Sequence, residues 1–126
     1  MYHIFIALGH KMMLVDIVPS TRPAKKLMAI FRDASGKTRI VHFGARGYKD
    51  FTLYYHDAKA HVKKNPTAAA ALWRTALRKK AQYIARHGAA ENWTDPTTPA
   101  TLARYILWNR PTVAESVAAY RRAFGK

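Results

Sequence analysis

The stretch "KKLMAIFRD", "ASG", "KTRIVHFG" (residues 25–44) limits the fold of this chain more than any other feature. Ala29 and Phe31 alternate with Met28 and Ile30, and Val41 and Phe43 alternate with Ile40 and His42. Side chains point to opposite faces at successive strand positions, so this pattern around a glycine-containing loop specifies an antiparallel hairpin. A lone hairpin is marginal in water, so further strands or covering helices must complete it. "DFTLYY" (50–55), rich in aromatic and β-branched residues, is the expected third strand.

Between the second and third strands falls "HFGARGYKDFT" (42–52). Gly44 and Gly47 permit positive φ, where a Cβ is penalised. Tyr48 and Phe51 are expected to fold back onto the sheet. The plain reading is therefore a structural turn built on Gly44 and Gly47. The functional alternative is a G-x-x-G phosphate clamp with Arg46 at its tip, although such loops in RNA-binding modules join two helices. A P-loop is excluded, because no G-x-x-x-x-G-K-[ST] occurs.

"NPTAAAALWRTALRKKAQYIARHG" (65–88) reads as a long helix, with Asn65 as cap, Pro66 in the first turn and Gly88 as a stop. Leu72, Trp73, Ala76, Leu77, Lys80, Tyr83 and Ile84 recur at spacings of three and four as one mostly apolar stripe. "ENWTDPTTP" is a loop by composition. Thr98 and Pro99 open a short helix, and Thr112 with Glu115 forms a capping box for the last one. The expected class is α+β: a small antiparallel β-sheet of about three strands, then about three α-helices. The expected organisation is an N-terminal arm, 1–24, and a single basic domain, 25–126.

The first eighteen residues are apolar but interrupted by His3, His10, Lys11 and Asp16, which argues against a spanning helix. No cation precedes the apolar run, which argues against a secretory signal. Met12 and Met13 are candidate alternative starts.

Twenty-two Lys and Arg face seven Asp and Glu, a formal charge of +15. From Ala58 to Ala90 no carboxylate occurs, while Lys59, Lys63, Lys64, Arg74, Arg78, Lys79, Lys80 and Arg86 do. Such an excess calls for an external polyanion or an acidic protein face. Arg46, Lys63, Lys64, Arg74, Arg78, Lys79, Lys80 and Arg86 are the expected contacts, with a solvated basic face as the plain alternative.

Catalytic patterns are sparse. Seven carboxylates form no telling pair, no G-x-S-x-G exists, and absent cysteine removes disulfides and thiolate metal sites. His56 and His61 are five apart and do not share a helix face as a spacing of four would. His42, Arg46 and Asp50 are the remaining candidates for phosphoryl chemistry. Trp73, Trp93 and Trp108 read as core before base-stacking platforms. No enzyme activity, cofactor, metal or small-molecule substrate is expected.

"HFGARGYKDFT", "ARHGAAENWTDPTTPATLARYILWNRPTVAES" and "YRRAF" resemble a small uncharacterised basic domain family of large eukaryotic DNA viruses, of the chlorella-virus and mimivirus kind. The resemblance spans about residues 25–124, with "AKAHVKKNPTAAAALWRTALRKK" lengthened here. It implies scaffold roles for Gly44, Gly47, Tyr48, Asp50, Thr52, Trp93, Leu107, Trp108, Asn109 and Pro111, and no catalytic residues. It also implies a minor capsid protein at the inner side of a virion shell. There it would cement neighbours through basic surfaces and the arm, with the major capsid protein and other minor capsid proteins as partners. Nucleic acid and the inner membrane surface are further expected partners, and non-sequence-specific nucleic-acid binding is the alternative function.

Overall fold

The computed structural model describes residues 5–7 and 10–125, with side chains from Met12 onward. Strands β1 (Phe5–Ala7), β2 (His10–Pro19), β3 (Lys25–Asp33) and β4 (Thr38–Ala45) form one antiparallel sheet in chain order. Helices α1 (Phe51–Ala60) and α2 (Pro66–Gly88) then pack as a pair. A short helix α3 (Pro99–Leu102) runs on as a π-helical turn (Ala103–Leu107), and α4 (Val113–Phe124) closes the fold. The α+β order matches the sequence reading, with four helices among the described residues in place of about three.

The β3–β4 hairpin follows its pattern. Ala29 faces Val41 and Leu27 faces Phe43. Ala29, Phe31, Val41 and Phe43 point inward and are buried, whereas Ile40 on the other face is 50% exposed. The turn is held by Asp33, whose Oδ1 accepts from Ser35 N, Ser35 Oγ and Lys37 N, with Gly36 at φ 89°. The main core joins Phe31, Phe43 and Leu14 of the sheet to Leu102, Ile106, Leu107 and Tyr120 of the C-terminal helices. Burial of each such side chain contributes about 1.5–3 kcal/mol.

Two sequence expectations are corrected. Residues 10–19, expected in an arm, are the second strand. A bulge between Leu14 and Asp16 shifts the register, so Met12, Leu14 and Ile17 are the residues that meet the core, and the period of two is broken. Arg121 of α4 donates through Nη2 to the carbonyls of Leu14 and Val15 at that bulge (3.3 and 3.1 Å). Residues 1–4 and 8–9 of the expected arm lie outside the described residues.

The expected third strand, "DFTLYY", is instead the start of α1. Asp50 has extended backbone and accepts from Leu53 N through its side chain, which caps the helix. Phe51, Tyr55 and Ala58 then recur at helical spacing: Phe51 and Ala58 are buried, and Phe51 and Tyr55 meet Trp73 of α2 at ring-centroid distances of 5.7 and 5.5 Å. Tertiary packing and a cap override the strand preference of the aromatic residues.

The later helices start where expected. Asn65 accepts from Ala68 N at 3.1 Å and Thr98 from Thr101 N at 3.2 Å. Thr112 accepts from Glu115 N at 3.2 Å and donates to its carboxylate at 2.8 Å. Gly88 is the last residue of α2, as expected of a stop, with Ala89 as the C-cap. A Cβ there would stand 3.3 Å from the Trp93 ring, so the glycine leaves room for the indole.

Gly44 has two demands on it. Its φ is 81°, and a Cβ would lie 2.7 Å from Leu107 Cδ1 and 3.2 Å from Lys26 Cβ. The sheet edge and the π-helical turn therefore meet across a bare backbone. Gly36 also has positive φ but open space around it. Gly44→Ala is expected to cost about 2–4 kcal/mol, and Gly36→Ala about 1 kcal/mol. Urea denaturation of the two variants checks this, and equal costs would refute the close approach.

Candidate functional site

The main core contains no residue of α1 or α2. That helix pair is a second unit, attached to the body by a few specific links, and a cleft of ≈ 640 Å³ lies between them.

The central link is Asp50, only 2% exposed. Its Oδ1 accepts from Leu53 N (3.1 Å) and from Thr52 Oγ1, and its Oδ2 accepts from Lys26 Nζ of β3 at 2.6 Å. Lys26 Nζ also donates to the Tyr48 carbonyl. One buried carboxylate thus starts α1 and ties it to the sheet. A second link is Lys80 of α2, whose Nζ donates to the Asn109 carbonyl at 2.7 Å and sits 4.9 Å over the Phe51 ring. Burial, with Arg104 and Arg110 nearby, lowers its pKa from the ordinary lysine value.

The third link is aromatic. Tyr83 of α2 is stacked between His87 and Trp108, with centroids at 4.1 and 4.4 Å. Trp108 reaches this place because the preceding turn is π-helical: its N–H bonds to the Ala103 carbonyl, five residues back. Such insertions recur at functional sites because they re-aim side chains. His87 Nδ1 is 2.5 Å from Glu91 Oε1, and Glu91 Oε2 accepts from Trp93 Nε1 at 3.1 Å. The three tryptophans are half-buried, each bracing a junction rather than filling the main core.

The cleft wall carries Lys25, Lys26, Lys49, Lys79, Arg86 and His87, against the acids Asp50 and Glu91. Both acids are engaged, by Lys26 and by His87 with Trp93. Lys49 pairs with Asp57 at 2.5 Å, and that hydrogen bond raises its pKa. The stretches "GARGYKD", "YIARHG" and "LWN", far apart in sequence, all reach this cleft.

The expected contact residues divide into two groups. Lys63, Lys64, Arg74, Arg78 and Arg86 are exposed, and Lys79 is half-buried at the cleft. In α2 each four-residue step turns about 40° around the axis. The row 74, 78, 82, 86 therefore winds from the outer face toward the cleft, whose wall includes Gln82 and Arg86. Lys80 and Arg46 have structural partners instead. Arg46 donates through Nε and Nη2 to the Lys25 carbonyl at 3.2 and 3.0 Å, clasping the end of β4 to the start of β3.

Tyr48 departs from its expectation: it does not fold back on the sheet but is 75% exposed at the cleft rim. His42 Nδ1 lies 2.7 Å from Ser20 Oγ, and partial burial with Arg22 and Lys25 nearby lowers its pKa. His42 bonds to Ser20, Arg46 to the Lys25 carbonyl and Asp50 to Lys26, so the three side chains share no common partner. Among the described residues no group of three or more His, Asp or Glu is placed to hold a metal ion.

Comparison with known proteins finds similarity, over residues 15–56, to a family of unknown function (DUF5754). That span runs from the bulge of β2 to the first turns of α1 and contains both Lys26 and Asp50. No curated protein and no solved structure matches the chain.

Two outcomes are expected. Asp50→Ala removes the cap and leaves a buried ammonium without its partner, so it destabilises by about 3–5 kcal/mol, more than Lys26→Met, which leaves the cap in place. Chemical denaturation measures both, and a small effect of Asp50→Ala would contradict the role of the link. Burial, with Glu91 nearby, pushes the Tyr83 phenol up to about 12. Its folded value exceeds its unfolded value near 10, so its contribution to stability is complete below pH 10 and is lost as pH rises toward 12. An NMR titration of the Tyr83 ring carbons checks this, and a midpoint near 10 would contradict the packing.

Proposed function

We propose that this protein binds nucleic acid without reading its sequence, through the winding basic row of α2 and the cleft it enters. The observation that carries the reading is the disposition of the acids. All seven carboxylates accept hydrogen bonds within the fold: Asp16 from the adjacent Ile17 N–H in β2, Asp33 and Asp95 from local turns, Asp50 and Glu115 at helix caps, Asp57 from Lys49, and Glu91 at the His87–Trp93 junction. The exposed cations of α2 therefore face solvent with no carboxylate in their own segment, and phosphate is the commonest counter-charge.

A second reading, a minor structural protein on the inner side of a large DNA-virus capsid, is supported by the sequence resemblance and by one surface. An apolar groove of ≈ 320 Å³ between α1 and α2, lined by Tyr55, Ala58, Val62, Ala69 and Trp73, suits a protein neighbour.

Fluorescence anisotropy with a labelled oligonucleotide across a salt series tests the first reading. Affinity should fall log-linearly with salt, with a slope of about −3 to −5 for four to six phosphate contacts. Arg74→Glu with Arg78→Glu should weaken binding more than tenfold at low salt and flatten that slope. Absence of binding at low salt would overturn nucleic-acid binding and leave the structural-protein reading in its place.

A further inference from the structure

We infer that the cleft takes the bases of a single-stranded nucleic acid, with Tyr48 as the stacking ring and Lys25, Lys79 and Arg86 as phosphate contacts. The inference rests on the nucleic-acid reading and deepens it.

Tyr48 is the main support. Its backbone is fixed twice: its carbonyl accepts from Lys26 Nζ, and its N–H donates to the Ala45 carbonyl at 3.4 Å. Gly47, at φ 95°, sets the turn that presents it. The ring itself is 75% exposed and contributes little to the core. An exposed aromatic ring on an anchored backbone beside cations is the arrangement that single-strand binders use, since every base has a face to stack.

The cleft supplies the rest. Lys79 and Arg86 are seven residues apart on α2, two helical turns, and line the same wall with Gln82 between them. Lys25 stands on the strand opposite. Because Asp50 and Glu91 are engaged by Lys26 and by His87 with Trp93, neither carboxylate is left to neutralise these three. A volume of ≈ 640 Å³ is in the range of small-ligand sites. Bases stacked and paired inside a duplex cannot enter such a space; unpaired or splayed bases can. The winding row of α2 leads a backbone from Arg74 and Arg78 into it.

The test compares three labelled probes on the full chain at one low salt concentration: a twelve-nucleotide single strand, a duplex of the same length, and heparin, a polyanion without bases. The expected result is tighter binding of the single strand than of the duplex. Tyr48→Ala should lose about 5- to 100-fold on the single strand while leaving heparin unchanged. Tyr48→Phe should retain binding, because stacking needs the ring and not the hydroxyl. Since Tyr48 is exposed, circular dichroism of both variants should match the parent. Equal binding of all three probes with no effect of Tyr48→Ala would overturn this inference and leave the basic row intact. Binding of none would overturn the nucleic-acid reading itself.

Discussion

The buried carboxylate of Asp50 is the interaction on which the remainder of the structure depends. It ends the turn after β4, starts α1 and receives the ammonium of Lys26 from the adjacent strand. A buried ion pair is weak evidence for net stability, because desolvation offsets the Coulomb gain. Here its value is geometric. The α1–α2 pair lies outside the main core, so its position follows from directional bonds: Asp50 with Lys26, Lys80 with the Asn109 carbonyl, and Tyr83 on Trp108. The cleft exists because those bonds hold two units at a set separation.

The same carboxylate belongs to a wider pattern. Each of the seven acids has a structural task, and the segment from Ala58 to Ala90 has none. The acids therefore lie outside α2, and the cations of α2 have no carboxylate in their own segment. Self-repulsion among those cations is the cost, tolerable where water and salt screen it. Two lysines and an arginine that look alike in sequence divide on this basis: Lys79 stands at the cleft, while Lys80 and Arg46 satisfy backbone carbonyls.

Much of the architecture was legible in the residues. The β3–β4 hairpin, α2 with its Asn65 cap, the Thr98–Pro99 start and the Thr112 cap all depend on local signals of a few residues, and they fall where those signals put them. What was not legible depended on distant partners. The bulge in β2 hides its inward residues, and the carbonyls of Leu14 and Val15 are met by Arg121, more than a hundred residues away. "DFTLYY" carries strand-like residues, yet Asp50 caps it and Trp73 covers it. The convergence of "GYKD", "YIARHG" and "LWN" on one cleft had no signal in any of them alone. The exposure of Tyr48 could have been suspected from its place between Gly47 and Lys49, a polar turn with little apolar support.

Amide hydrogen exchange on the unmodified protein addresses the central claim most directly, namely that directional bonds fuse the helix pair to the sheet and so preform the cleft. If they do, the amides of Leu53 and Tyr54 in α1 and of Tyr83 in α2 will open only with those of Phe31 and Phe43 in the sheet, at a common free energy. Exchange of the helix-pair amides orders of magnitude faster than those of the sheet would mean that the two units move independently, and the cleft would then be no fixed site.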